Sequence, residues 1–293
     1  MLSAPPVPRI PRHVPRRHRS ERMTIAAGFR CTDGIVLASD TLYTGVNKRY
    51  DRKLWDLPPT NGADVIIGGS GNAVLIRRAR DDVTERLAKA QSLLDQRSIR
   101  DIIDGVLYSL LHKHQPATDD FPLSLVVGIR TADGCVLYES DGNAVLGPVD
   151  RAATCIGWGA GVGSYVADSL YTIRMSVKWA SIVGAHLIRI AKQYAADCGG
   201  DTHILTLPLI GEPIFEDNQE TIASLENYLS AVEDAMRFAL PSGEADETTE
   251  HRLTTLNAAI RHVHARIYRL GLTRISGRRR GRFLLECRDT TDA

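Results

Sequence analysis

The sequence predicts an α+β protein with a four-layer αββα sandwich and an appended helical hairpin. Three observations lead to this fold class: the strands occur in clusters, the helices follow them in pairs, and two strand pairs are joined by similar short turns. Clustered strands with paired helices favour stacked layers over a βαβ winding. Two antiparallel sheets packed face to face, with one helix pair outside each, bury every apolar face of these elements.

Short apolar runs bounded by turn residues indicate the strands. Residues 24–31 and 35–40 flank Thr32-Asp33-Gly34, and residues 123–129 and 135–140 flank a turn that also ends in Asp-Gly. An Asp-Gly dipeptide between apolar runs predicts a hairpin. Three further strands are predicted at 65–67, 153–157 and 202–207.

Apolar residues at helical spacing predict two helix pairs. The first pair covers 73–94 and 98–114, with Ser98 and Asp101 as the capping residues of the second helix. The second pair covers 164–172 and 177–196, and it follows a glycine-rich turn at 157–163. The order strands, two helices, strands, two helices, strand is the basis of the layered prediction.

Two helical patterns with apolar spacings of three and four follow the last strand, separated by an acidic linker at 241–250. They predict a helical hairpin, which either covers the core or forms an oligomer contact. We therefore divide the chain into a core domain at 23–210, a helical C-terminal extension with a basic tail at 211–293, and an N-terminal extension at 1–22. The N-terminal extension is rich in Pro and Arg and shows no hydrophobic periodicity, which predicts disorder.

Composition narrows the class of protein. The formal net charge is +1 and no apolar run approaches the ~20 residues that span a bilayer, so we expect a soluble chain without a membrane partner. The basic termini could bind an anionic partner, but a solvated tail is the favoured interpretation and nucleic acid is not an expected partner. Five scattered cysteines without a CxxC pair argue against disulfides and a zinc site and favour the cytoplasm.

A series of motifs carries a resemblance to a known family. MTIAAGF begins with Met23-Thr24, DGIVLASD ends at Asp40, Lys53 precedes Leu-Trp, and GGSGNA begins at Gly68. In this order and spacing the sequence resembles proteasome β-type subunits, which are N-terminal nucleophile hydrolases with an N-terminal threonine. The later CGGDTHILTL resembles the family's Gly-Gly-containing segment before its late strand, so the resemblance covers about 24–207.

The resemblance implies a catalytic role for four residues. Thr24 is the implied nucleophile, and its own α-amino group is the implied base, since an α-amine titrates near pH 8. Lys53, held charged by Asp40, lowers the pKa of the Thr24 hydroxyl. The backbone N–H of Gly68 donates to the oxyanion, and one such donor lowers the barrier by roughly 3–4 kcal/mol. The alternative is that Thr24 is only a β-branched strand start and Asp40 and Lys53 an ordinary ion pair.

Two departures concern the residues that support the α-amine in that family. The expected Ser in the glycine-rich turn is replaced by Gly157-Trp158-Gly159, and the Asp and Ser expected before the Gly-Gly pair are replaced by Ala195 and Cys198. Asp197 and Ser164 are the possible substitutes.

A threonine nucleophile with an α-amine base must be the first residue, and 23 residues precede Thr24. We favour translation from Met23 and methionine removal over an extension that persists. The sequence thus predicts a cytoplasmic threonine-type hydrolase of peptide or other amide bonds, without cofactor or metal, in a homo-oligomer or with ring partner subunits. The alternative function is a non-catalytic structural subunit of an oligomeric assembly, as proteasome α-type subunits are.

Overall fold

The computed structural model describes residues 24–44, 48–90, 92–114, 123–140 and 145–239, and isolated positions between 254 and 265. These residues form a mixed α+β fold, which confirms the predicted class. None of the helices in this part of the chain is long and apolar enough to cross a membrane. The predicted extension at 1–22 lies outside the described residues, and so does the second half of the predicted C-terminal hairpin apart from those isolated positions.

Twelve strands are found in the described ranges, in two five-stranded antiparallel sheets and one two-stranded sheet. The first sheet has the order β10 (Ala153–Gly157), β1 (Ile25–Cys31), β2 (Gly34–Asp40), β11 (Thr202–Pro208) and β12 (Ile214–Glu216). The second has the order β5 (Leu54–Asp56), β6 (Asp64–Gly71), β7 (Leu123–Thr131), β8 (Gly134–Ser140) and β9 (Gly147–Pro148). The third pairs β3 (Leu42–Thr44) with β4 (Lys48–Tyr50).

Both predicted hairpins are confirmed. Cys31 pairs with Gly34 across the first turn, and Thr131 pairs with Gly134 across the second. In each hairpin two residues form the loop and a glycine begins the returning strand. The turn chemistry therefore fixes the register of both strand pairs.

Five helices lie within the described ranges: α1 (Ala73–Ala88), α2 (Gln96–Lys113), α3 (Ala160–Leu170), α4 (Val177–Tyr194) and α5 (Gln219–Ala239). Helix α1 begins after Asn72, whose side chain accepts hydrogen bonds from the N–H groups of Val74 and Leu75. The predicted capping residues of α2 are wrong. Asp95 is the cap, and its carboxylate accepts from the N–H of Ser98, so α2 starts before Ser98.

Three buried apolar clusters lie on different faces of the sheets. The first lies between the two large sheets: its members include Ala26, Ile35, Leu37, Leu54, Ile66, Val126 and Leu137. The second joins the second large sheet to α1 and α2, and its members include Ile67, Ile76, Val83, Ile103 and Val127. The third joins the first large sheet to α3 and α4, and its members include Ile25, Phe29, Val36, Val166 and Leu187.

Helix α5 packs on α4 through apolar and charged contacts. Ile222 is buried in the third cluster. The Lys192 ammonium donates to the Glu226 carboxylate at 2.9 Å and to the Thr202 hydroxyl at 2.7 Å. Helix α5 therefore covers the core, which is one of the two roles expected for the C-terminal extension.

Five strands were not predicted from the sequence, each of two or three residues: β3, β4, β5, β9 and β12. Runs of this length are too short to show a period of two. Helix α3 also begins at Ala160, four residues earlier than predicted, because the glycine-rich segment supplies its first turn. Three of these strands, β3, β4 and β5, lie next to Asp40 or Lys53 in the chain.

Replacing Gly128 with Ala is expected to destabilise the interface between the two large sheets. A Cβ at this position lies 2.8 Å from Ile66 Cγ1 and 3.1 Å from Ile35 Cγ2, so the apolar side chains must shift. Overpacking of this kind costs about 1–3 kcal/mol, measurable by denaturant unfolding. Gly161→Ala is the matched control: nothing lies within 4 Å of its Cβ, and this helical site is expected to gain up to about 1 kcal/mol. Equal stabilities for the two variants contradict the close packing.

Candidate functional site

The structure brings together three of the predicted residues. Thr24 lies immediately before β1, Asp40 is the last residue of β2, and Lys53 lies immediately before β5. All three side chains are fully buried, with 0% exposure. The convergence follows from the fold, because these strand ends belong to two sheets packed against each other.

A network of hydrogen bonds joins the three side chains. The Thr24 hydroxyl donates to Asp40 Oδ1 at 3.0 Å. Lys53 Nζ donates to Thr24 Oγ1, to Asp40 Oδ1 at 2.5 Å and to the carbonyl oxygen of Leu42 at 2.5 Å. The Thr24 oxygen is thus held between an amine and a carboxylate.

Asp40 accepts more hydrogen bonds than the sequence indicates. Its Oδ1 also accepts from the N–H of Ile25 at 3.1 Å, and its Oδ2 accepts from the N–H of Gly199 at 2.9 Å. The carbonyl oxygen of Gly199 in turn accepts from the N–H groups of Thr41 and Leu42 at 3.3 and 3.0 Å. A buried carboxylate needs such partners, since an unpaired one is very costly.

Burial lowers the pKa of Lys53 below its ordinary value of 10.5. The nearby Asp40 acts in the opposite direction, but the loss of water around the amine is the larger effect. The ring of Tyr43 lies 4.7 Å from the Lys53 nitrogen and closes one side of the site. A lysine with a lowered pKa supplies a neutral amine more readily than an exposed lysine does.

Gly68 lies in the middle of β6, opposite Leu54 of β5 and Val126 of β7. The N–H of the next residue, Gly69, donates to the Lys53 carbonyl at 3.0 Å. Because successive N–H groups of a strand point to opposite edges, the Gly68 N–H points towards β7. Its role as oxyanion donor stays a prediction, and Gly69 is the neighbouring donor on the Lys53 side.

The turn after β10 contacts the backbone of Thr24. Gly157 has φ +95°, and a Cβ there would collide with the Ser70 hydroxyl and the Thr24 carbonyl oxygen. The N–H of Gly159 donates to that same carbonyl at 3.5 Å. A side chain at 157 therefore has no room, and this explains why the turn carries glycine rather than serine.

Asp197 and Ser164, the predicted substitutes for the missing support, lie in different surroundings. Ser164 lies on α3, where its side chain acts to lower the pKa of Cys155, and Asp197 lies in the turn before β11, where its charge contributes to raising the pKa of Cys198. Their supporting role stays a prediction.

One neighbour of the site, the N–H of Gly199, was not predicted from the sequence, and Cys198 was noted only as a departure from the family's support residues. The motif CGGDTHILTL marked this segment, but nothing in it showed that it touches Asp40, which is 159 residues away in the chain. Within the described ranges, no group of three or more His, Cys, Asp or Glu side chains is arranged to hold a metal ion.

Comparisons with known proteins identify the fold. No protein-family model and no curated protein matches the chain. Among solved structures, Anbu (ancestral beta-subunit) from Yersinia bercovieri aligns with a TM-score of 0.66 at 14% identity, over 75% of this chain and 98% of that one. The Gly-1 mutant of Anbu from Hyphomicrobium sp. strain MC1 aligns with a TM-score of 0.64 at 16% identity, over 77% of this chain and 100% of that one. The Anbu complex from Pseudomonas aeruginosa, described as a helical assembly, aligns with a TM-score of 0.63 at 18% identity, over 77% of this chain and 100% of that one.

These neighbours correct the resemblance to proteasome β-type subunits. Anbu proteins are proteasome-like but form a distinct family, and at 14–18% identity the likeness shows the fold alone. The motifs around Thr24, Asp40 and Gly68 led to the wrong family because they encode strand ends and the turn before α1. Those features belong to the shared fold, so they do not separate one family from another.

Breaking the buried ion pair is expected to destabilise the protein strongly. Asp40→Ala and Lys53→Met each leave the other group buried without its partner, and each is expected to cost about 3–5 kcal/mol in denaturant unfolding. The double variant is expected to lose less than the sum of the two. Lys89→Ala, which removes an exposed pair with Glu85, is the control and should leave the midpoint unchanged. Additive effects of the two buried substitutions would show that the pair is not coupled.

Proposed function

We propose that this chain is a threonine-type hydrolase of peptide or other amide bonds and that Thr24 is its nucleophile. One observation carries the proposal: the Thr24 hydroxyl is held between the Lys53 amine and the Asp40 carboxylate in a site without exposure to water. A threonine hydroxyl is a weak nucleophile and needs such a base at hydrogen-bond distance. An ordinary buried ion pair does not require a hydroxyl that is hydrogen-bonded to both of its charged groups.

The geometry supports a two-step acyl transfer. Thr24 Oγ attacks the substrate carbonyl carbon, and its proton passes to a neutral amine. Lys53 donates to Thr24 Oγ1 in this structure, and the same contact lets it accept the proton once its amine is neutral; the α-amino group of Thr24 is the second candidate once preceding residues are removed. Collapse of the tetrahedral intermediate breaks the C–N bond, and the leaving amine takes up the proton. Water then hydrolyses the Thr24 ester and restores the hydroxyl.

Asp40 orients both partners in this scheme. It holds the Thr24 hydroxyl and the Lys53 amine on the same oxygen, Oδ1, while the Gly199 N–H holds Oδ2. The oxyanion donor predicted from the sequence, the Gly68 N–H, points towards β7 in this structure, so the scheme requires it to turn towards Thr24 when substrate binds. Asp40 favours the charged amine that the sequence predicts for Lys53, whereas burial favours the neutral amine that this scheme requires.

We further propose that the three apolar clusters are the three interfaces of an αββα sandwich formed by residues 23–210. The chain then works as one subunit of a homo-oligomer or ring in the cytoplasm. The helical assembly described for the Anbu complex supports oligomerisation, and the free thiols of Cys31, Cys135, Cys155 and Cys198 support a reducing compartment. The second half of the C-terminal hairpin belongs to the same proposal.

A second function, that of a non-catalytic structural subunit, is favoured by the burial of Thr24. Its side chain has 0% exposure, and 23 residues precede it, so a substrate cannot reach the hydroxyl in this state. The two functions differ in one requirement: catalysis needs Thr24 to be exposed as the first residue.

A protein that begins at Thr24 is therefore expected to hydrolyse a panel of fluorogenic peptide amides, whereas the full chain is expected to be inactive. Thr24→Ala in the shortened protein should lower kcat/KM by at least about 100-fold, and Thr24→Ser should retain measurable activity because it keeps the hydroxyl. Circular dichroism and unfolding curves verify that the variants fold. Equal turnover by Thr24→Ala and the parent protein would favour the structural subunit.

The pH dependence follows from the direction of the Lys53 shift. The neutral amine forms as pH rises through a pKa that lies below 10.5, so kcat/KM is expected to rise with pH over that range. Asp40 raises this pKa, so Asp40→Asn should move the rising limb to lower pH while lowering the maximum rate. Pre-steady-state rates between pH 5 and 10 test this. A limb at the same pH in both proteins would assign it to a group other than Lys53.

A further inference from the structure

Two charged contacts hold α5 against α4, and they lie about two helical turns apart. In the first, the Glu226 carboxylate accepts from the Lys192 ammonium at 2.9 Å and from the hydroxyl of Thr202 on β11 at 2.6 Å. In the second, the Glu233 carboxylate contacts α4 again. Positions i and i+7 share one face of a helix, so both contacts lie on the side of α5 that covers α4. We call them the front contact (Glu226) and the rear contact (Glu233).

The rear contact is centred on His186, a histidine of α4 with only 1% exposure. Its Nε2 lies 2.9 Å from Glu233 Oε1, and its Nδ1 lies 3.4 Å from Arg189 Nη2. A guanidinium only donates, so Nδ1 accepts from Arg189 and carries no proton in this arrangement. Nε2 then carries the proton and donates to the Glu233 carboxylate. The surroundings therefore select a neutral imidazole that is protonated on Nε2.

The charged groups around His186 act in opposite directions on its pKa. Burial lowers this pKa below its ordinary value of 6.5, and Arg189 acts in the same direction, whereas Glu233 and Glu226 on α5 raise it. Burial is the largest cause, so the pKa is lowered overall. Lys192, also on α4, is paired with Glu226 in the front contact. Protonation of His186 thus places a second cation beside Arg189 in a buried position.

The apolar contacts of α5 divide between the same two parts of the helix. Ile222, one turn before the front contact, is buried in the third cluster together with residues of α3 and α4. Tyr228 lies between the front and rear contacts and packs with Ile182 and Trp179 of α4 in a small apolar cluster. Detachment of α5 from Tyr228 onwards therefore uncovers apolar side chains of α4, while Ile222 keeps the beginning of the helix in place.

We propose that His186 is an acid-sensitive clasp: protonation of its imidazole favours detachment of α5 from Tyr228 onwards and uncovers an apolar surface on α4, while the front contact holds the rest of the helix. Imidazole is the side chain that ordinarily changes its charge between pH 5 and 8. Because the pKa of His186 in the docked state lies below 6.5, docking is fully stable above pH 6.5 and loses stability as pH falls below it. The proposal does not depend on the function of Thr24.

NMR titration of the 15N-labelled His186 ring in the full chain tests its charge state. A neutral ring protonated on Nε2 is expected at pH 7, with a midpoint below 6.5. Glu233→Gln keeps an oxygen that accepts from Nε2 but removes the charge, so it should move the midpoint to lower pH. Arg189→Gln removes a cation and should move the midpoint to higher pH. A ring protonated on Nδ1 at pH 7, or shifts of the two variants in the same direction, overturns the proposal.

Amide hydrogen exchange of α5, read by mass spectrometry in the full chain, tests the detachment. Exchange is measured at pH 7.5 and 5.5 and corrected for the intrinsic effect of pH. Each pH unit below 6.5 raises the opening equilibrium by up to tenfold, so exchange over residues 228–234 is expected to become about five- to tenfold faster at pH 5.5. Exchange over residues 219–227 should not change. Equal acceleration of both segments, or no acceleration of either, contradicts a clasp at the rear contact.

His186→Gln is the matched variant without a titrating ring, since its amide both donates to Glu233 and accepts from Arg189. Exchange over residues 228–234 should then be the same at the two pH values. His203→Gln is the control for a second half-buried histidine with a lowered pKa, which lies on β11 against the ring of Phe215. This control should accelerate at pH 5.5 as the parent does. Acceleration that persists in His186→Gln, or that is lost in His203→Gln, assigns the pH response to another group and overturns the proposal. If His186→Gln does not fold, the opposite shifts of the Glu233 and Arg189 variants decide.

Discussion

The buried ion pair between Lys53 and Asp40 is the interaction on which the rest of the site depends. Both side chains are removed from water, and the cost of desolvating two charges is met only when each has several close partners. Asp40 accepts from Thr24, Ile25, Gly199 and Lys53. Burial also lowers the pKa of the lysine, so the feature that costs stability also favours the role of base proposed for its amine.

The fold supplies these partners because three strand ends and one turn meet at a single corner. Thr24 enters β1, Asp40 leaves β2, and Lys53 enters β5 of the opposite sheet. The Cys198–Gly200 turn leads into β11, which pairs with β2 so that Thr202 lies opposite Asp40. Apolar packing between the sheets holds the corner in place, since Ala26, near Thr24, and Leu54, next to Lys53, belong to the same cluster.

Local signals in the sequence were sufficient for the hairpins and for the positions of Thr24, Asp40 and Lys53. Asp-Gly turns fix register over a few residues, so both hairpins were predictable. The contact between Gly199 and Asp40 was not, because it joins segments far apart in the chain and uses a backbone N–H that any residue possesses. The family was misjudged because the motifs reflect the fold.

Detection of an acyl-enzyme tests the central claim most directly. A protein that begins at Thr24 is mixed with an activated acyl ester, quenched in acid, and analysed by peptide mass mapping. The account predicts one acyl group, on the Thr24 oxygen, and none in Thr24→Ala or in the full chain. An acyl group that persists in Thr24→Ala, or that maps to another residue of the shortened protein, would contradict the claim that Thr24 is the nucleophile.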